Sequence, residues 1–276
     1  MQTKSLTLSA AGCLLTGLVG FVYNGPLSAE DDTKEKSQAA LAEVLRQGGV
    51  TVDFESDAIA IPTRLIVTHD LLEYVLVGPN GSGHESLLTT EVLGSMMHAG
   101  LTAVGVGQGK NAAYVEVDPQ PTEEELRAGA KRYSMTYPSG DGIFPYLAWR
   151  EGEEVYFVRV EDVINNAVSG RTMDRHRWVY IGSRFAKLRE DSPEVFMADA
   201  EQNLINLAFF TEGNTLCTAS LPECEIQTIW SANPWVLPPP GEPVRLILSH
   251  ERLSSLPPGL ATDLPEPNRD LGEARR

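Results

Sequence analysis

Apolar residues along this chain recur more often in short alternating runs than at helical spacing, and the elements follow from that. Ser37 to Gln47 carries Ala39, Ala40, Leu41, Val44 and Leu45 on a helical period and stops at Gly48-Gly49, which predicts a short helix. The charged stretch 30–36 before it reads as linker. Runs at 50–54, 58–61, 64–68 and 73–77 predict strands, with Pro62 and Pro79 marking edges or ends. Pro79-Asn80-Gly81-Ser82-Gly83 is a turn cluster between two apolar runs and predicts a β-hairpin over 73–88. Thr89-Thr90 followed by Val92, Leu93, Met96, Met97 and Leu101 predicts a capped amphipathic helix. Further strands are expected at 112–117, 153–160, 177–181, 194–198, 203–209 and 243–249, and a short helix from Thr122 to about Lys131. The stretch 233–243 is proline-rich and reads as an irregular wrap, and from 253 to 276 proline, glycine and charge predict a disordered tail. Strands outnumber helices and connections are short, so the expected fold is α+β: a single antiparallel-rich β domain over 50–252 with a few short helices.

The remaining apolar run, Leu6 to Tyr23, changes the setting. Lys4 precedes it, and Leu27-Ser28-Ala29 leads into Glu30-Asp31-Asp32. A charged start, apolar middle and small-residue exit describe a signal peptide over 1–29, so the protein is expected to be exported, periplasmic or extracellular. No later segment is apolar enough to span a bilayer, so no integral membrane segment is expected after cleavage. The formal charge is −16, and losing Lys4 with the leader makes it −17. That sign opposes binding to nucleic acid, whose phosphates need Lys and Arg, and to anionic lipid. Cys13 would leave with the leader. Cys217 and Cys224 remain, and in an oxidising compartment a close even pair reads as a disulfide around Pro222.

Several glycine- and serine-rich stretches fail as catalytic motifs. Gly105-Val106-Gly107-Gln108-Gly109-Lys110-Asn111 has Val104 and Asn111 where a phosphate loop needs Gly and Ser or Thr, and reads as a flexible connector. Ser82 lies between Asn80 and His84 rather than in Gly-x-Ser-x-Gly. Ser139-Gly140-Asp141-Gly142 lacks the acids of a calcium loop. His84-Glu85 on the expected hairpin and His98 on the following helix form the stronger set, because two imidazoles and a carboxylate can bind a first-row metal. Trp178, Arg184, Trp230 and Trp235 are the candidate binding residues, Trp230 and Trp235 as walls of a groove around Asn233-Pro234.

Four segments, Gly83-His84-Glu85-Ser86-Leu87-Leu88, Met97-His98-Ala99-Gly100-Leu101, Trp178 to Phe185 and Ala198-Asp199, together resemble the YdjY-domain family of exported bacterial proteins. The resemblance covers about Val50 to Leu248, maps the family's His-Glu pair onto His84 and Glu85 and its helix histidine onto His98, and implies no established activity. An iron–sulfur link suggested for the family is not expected here, since the cysteine run it needs is missing. The cofactor is left open. The reading is a non-catalytic module binding a small ligand or a protein partner. The alternatives are a metal-dependent enzyme or metal-binding protein using His84, Glu85 and His98, and an envelope assembly module.

Overall fold

A computed structural model describes residues 29–267, and residues 1–28 of the expected leader lie outside the described residues. The chain falls into two units, 1–37 and 38–276. The described part of the first is helical, with the Ser37 hydroxyl donating to the Thr33 carbonyl. This helix, α1 (Ala29–Gln47), starts at Ala29 rather than at Ser37 as expected. Acid runs such as Glu30-Asp31-Asp32 are favoured in a first turn. In the second unit follow β1 (Thr51–Asp53), β2 (Ala58–Leu65), β3 (Tyr74–Val77), β4 (Ser86–Thr89), α2 (Gly94–Ala103), β5 (Ala113–Glu116), α3 (Glu123–Arg127), β6 (Tyr133–Thr136), β7 (Gly142–Glu151), β8 (Glu154–Arg159), β9 (Ile164–Asn166), β10 (Trp178–Tyr180), β11 (Phe185–Lys187), β12 (Glu194–Phe196), α4 (Met197–Glu201), β13 (Asn203–Asn206), β14 (Cys217–Thr218), β15 (Trp230–Ala232) and β16 (Pro243–Ser249). No helix of the described residues is long and apolar enough to cross a membrane.

Eight strands close on themselves in the order β2-β16-β7-β10-β14-β13-β3-β4, because β4 turns back to pair with β2 through Arg64↔Thr89 and Leu65↔Leu88. Closure leaves these strands without a free edge. Most neighbours are antiparallel, as expected, but β13–β14 and β3–β4 are parallel, so the sheet is mixed. The hairpin expected over 73–88 is therefore corrected. Its turn cluster carries the chain back so that Tyr74 lies opposite Ser86 instead of folding the strands head to tail. The reason is that the loop docks elsewhere. Gly78 N–H donates to the Gln202 carbonyl at 2.7 Å, Asn80 N–H to Gln202 Oε1 at 2.8 Å, and Ser82 N–H to Asn203 Oδ1 at 2.9 Å.

Two prolines sit where a strand changes partners. Along one edge of β7, β10 pairs with residues 142–143 and β8 takes over at 146, and Pro145 stands in the gap, where a missing N–H costs no ladder bond. Pro62 does the same on β2, between β1 at 58–60 and β4 at 64–65. Pro62, expected at a strand edge or end, thus lies inside a long strand. A Cβ at Gly142 would collide with the Trp178 carbonyl oxygen, so the approach of β7 to β10 requires glycine.

Alternation along β2, β16 and β7 serves two apolar surfaces. Ile59, Ile61, Leu246, Leu248, Ile143, Leu147 and Trp149 join the main core. Ala58, Ala60, Ile247, Phe144, Tyr146 and Ala148 join a second cluster with Leu260, against which Leu253, Leu256 and Leu264 pack. The expected disordered tail is accordingly corrected over 253–267. Leu253 N–H donates to Tyr146 Oη at 2.8 Å, Arg150 N–H to the Pro265 carbonyl at 2.9 Å, and Arg245 to the Asp263 carbonyl at 2.8 Å. Residues 268–276 lie outside the described residues.

Helix α2 is not capped by Thr89 or Thr90. Leu93 holds the cap position without a side-chain bond, and Asp199 of α4 accepts from Ser95 N–H at 2.8 Å, placing a carboxylate at the positive helix end. The short helix expected from Thr122 forms as α3 with a full capping box between Thr122 and Glu125. The glycine stretch 105–110, expected to be a flexible connector, is held down. Gly107 N–H donates to Asp141 Oδ2 at 2.9 Å, Gln108 to the Ile181 carbonyl at 2.8 Å, and Gly109 N–H to the Tyr180 carbonyl at 2.7 Å.

Candidate functional site

The residues singled out for chemistry are dispersed. His84 and Glu85 sit in an exposed single turn before β4, 3.5 Å apart from Nε2 to Oε1. His98 lies on α2 with Nδ1 2.5 Å from Tyr180 Oη and its ring 5.4 Å from that of Phe196, and burial pushes its pKa down. Among the described residues no three His, Cys, Asp or Glu side chains come together to hold a metal, so the expected His84, Glu85 and His98 centre is not assembled. The physical reason is the parallel β3–β4 return, which leaves His84 and Glu85 on an exposed turn while His98 packs against Tyr180 and Phe196.

The expected Cys217–Cys224 bridge is likewise replaced by two free, buried thiols, Cys217 in β14 and Cys224 in a 3₁₀ turn. Each fills the main core as a small apolar side chain, and burial drives both thiol pKa values up. Trp230 is buried at 2% exposure whereas Trp235 is 88% exposed, so they do not form two walls of a groove. Trp178 is wholly buried, and its indole N–H donates to Glu161 Oε1 at 3.1 Å. Glu161 also pairs with Arg159 and accepts from His176 N–H, a buried charge network that fixes β8 to β10.

What the fold does bring together is a recess of about 280 Å³ between β3, β13 and the 210–215 loop. Its floor follows from register. Tyr74 of β3 lies opposite Asn206 of β13, which lies opposite Thr218 of β14, so the three share one cross-strand row. Asn206 is 2% exposed, and its Oδ1 is buried with no hydrogen-bond partner, as is the Thr218 hydroxyl oxygen. A buried acceptor left unpaired costs about 1–3 kcal/mol, so each such atom calls for an explanation. The Tyr74 ring stacks on Phe210, centroids 5.0 Å apart and 3° from parallel. Burial pushes the Tyr74 phenol up to about 12, a bond with Ser82 opposes this, and the charges of Glu73, Glu85 and Glu201 add to it.

The wall is built by the motif around Arg184. Ser183, at φ 60°, donates from its hydroxyl to the Asn214 carbonyl at 2.8 Å, and Arg184 Nε donates to Asn214 Oδ1 at 2.7 Å. Asn214 Nδ2 then donates to Glu201 Oε1 at 2.6 Å. Arg184 is the one candidate binding residue that reaches this recess, through Asn214. Sequence reasoning missed Tyr74, Asn203, Asn206 and Phe210. A signal existed: Asn203 and Asn206 bracket Leu204-Ile205 in a strand, where asparagine is depleted.

Over residues 50–249 the chain matches the family described as YdjY domain, and it belongs to that family. Among curated proteins and among solved structures, none matches it. Three of the four segments that carried the resemblance have structural roles. Gly83-His84-Glu85 ends the loop pinned by Gln202 and Asn203, the Gly182 to Phe185 stretch holds Asn214, and Asp199 caps α2.

Proposed function

We propose that this protein is an exported, non-catalytic binding module of the YdjY-domain family whose ligand site is the recess between Tyr74, Asn206 and Phe210. The observation that carries the reading is Asn206, a strand asparagine only 2% exposed that lines the recess and whose side-chain Oδ1 has no hydrogen-bond partner among the described residues. Recesses with an aromatic face and a few convergent polar groups are the usual form of small-ligand sites. Export is supported by the leader pattern over 1–29. The reading is tested by thermal denaturation of wild type, Phe210→Ala and His84→Ala against a panel of small polar solutes, with fractionation of the producing cells. Solutes that stabilise wild type and His84→Ala but not Phe210→Ala are expected, with the protein outside the cytoplasm. No stabilising solute, or stabilisation indifferent to Phe210→Ala, would refute the site. Retention in the cytoplasm would refute the export.

A further inference from the structure

Resting on that reading of the recess, we infer that its ligand is a neutral polyhydroxylated ring, a single sugar residue. Much of the polar lining is engaged within the protein. Asn214 accepts from Arg184 Nε and donates to Glu201 Oε1, the Thr215 hydroxyl donates to the Leu204 carbonyl, and the Tyr74 hydroxyl bonds with Ser82. What is left over has two kinds. Asn203 spends its Oδ1 on Ser82 N–H and Asn206 has its Oδ1 sealed inside, so both present an amide NH₂ to the space. Beside these donors stand acceptors, the second oxygen of Glu201 and the carboxylate of Glu212. A cation only donates and would set N–H against the two amides, whereas an anion only accepts and would face the two carboxylates. A hydroxyl both donates and accepts, and several on one ring meet both kinds at once.

Charge and shape narrow the class further. None of the described lining residues is a lysine, arginine or histidine, and Arg184, which reaches the wall, has its Nε held by Asn214. Besides burial, the charges of Glu73, Glu85 and Glu201 raise the Tyr74 phenol, so the space lies in a negative field. An amino acid carries both a donor and an acceptor group, but its carboxylate would enter that field with no cation to hold it. Phe210 is half-buried and covered by Tyr74 on one side, and it supplies apolar surface for the C–H face of a pyranose ring. A recess of about 280 Å³ falls just below the usual range of small-ligand sites, which suits one ring and not a longer segment.

Calorimetric titration of the full chain with the methyl pyranosides of glucose, mannose, galactose and N-acetylglucosamine tests this. Cyclohexanol, the methyl glycoside of glucuronate and L-valine are the comparison ligands, at constant ionic strength. At least one neutral glycoside is expected to bind saturably, about ten-fold or more tighter than each comparison ligand. Monodeoxy analogues of that glycoside are expected to bind about five-fold more weakly at two or more ring positions, one hydrogen bond being lost each time. Glu212→Ala trims an exposed side chain and is expected to weaken the glycoside about five-fold at an unchanged unfolding midpoint. The trisaccharide of the same sugar separates the two sources of such a ring. Binding at least as tight as that of the methyl glycoside assigns the end of a sugar chain, and loss of binding assigns a free monosaccharide. No glycoside binding, equal binding of cyclohexanol, preference for the glucuronate or for valine, or binding indifferent both to Glu212→Ala and to deoxygenation would overturn the inference. In that event the site still stands if another solute loses its stabilising effect in Phe210→Ala, and falls with the inference if no solute does.

Discussion

Leu260 offers the sharpest test of how the last described segment belongs to the fold. It is 1% exposed and packs into the cluster of Ala58, Phe144, Tyr146 and Ile247 on the second face of the β2, β16 and β7 strands. Leu260→Ala removes three buried carbons, about 2.4 kcal/mol at roughly 0.8 kcal/mol per buried methylene. The cavity left behind adds to this, because flanking strands cannot collapse onto it, giving about 3–4 kcal/mol in all. In a domain of this size that is a fall of about 10 °C in Tm. Urea unfolding followed by tryptophan fluorescence reads it as a lower midpoint at unchanged slope. Leu188→Ala, at a position 60% exposed, is the control and should stay within about 0.5 kcal/mol of wild type. A Leu260→Ala variant as stable as that control would show that the segment does not cover the barrel, and the reasoning from the second core would fail.

Three other changes probe the core and the ionisable groups. Glu161→Ala strands Arg159 without its buried partner and should cost about 3–5 kcal/mol in the same unfolding assay, where a loss under 1 kcal/mol would contradict the network. Burial holds His98 and His176 neutral in the fold, so the unfolded chain binds more protons and stability should fall as pH drops below about 6.5; His176→Phe, keeping a ring against Trp178, should flatten that fall, and an unchanged slope would refute it. Asp141 is different: burial raises its pKa, but bonds from Gly107 and Gly142 N–H and from His250 outweigh this and lower it, so its share is retained above the usual carboxylate range and lost only in stronger acid. Thiol titration should find Cys217 and Cys224 unreactive in the native protein and both reactive once it is unfolded without reductant, and their absence after unfolding would establish a bridge instead.

Local chemistry was legible where local chemistry decides. Strand β16 falls on the expected 243–249, and Thr122 with Glu125 announced α3 through its capping box. Strand β7 was not legible, because both of its faces are buried, its apolar run does not alternate, and Pro145 argues against a central strand until its place between two partners is known. Turn residues at 79–83 signalled a reversal but not its direction, which Gln202 and Asn203 set from far along the chain. The recess escaped for the same reason. Tyr74 is distant in sequence from Asn206 and Glu212 and meets them only through the register of β3 with β13. Histidines drew attention because their chemistry is conspicuous, whereas a strand asparagine becomes informative only when its buried oxygen lacks a partner.

The measurement closest to the central claim is the nuclear magnetic resonance spectrum of isotope-labelled protein titrated, at constant ionic strength, with a small polar solute that stabilises it against heat. The account predicts saturable shifts of the Asn206 and Asn214 side-chain amides and the Phe210 ring, with His98 unmoved. Shifts centred on His84 or His98, or none within the recess, would contradict it.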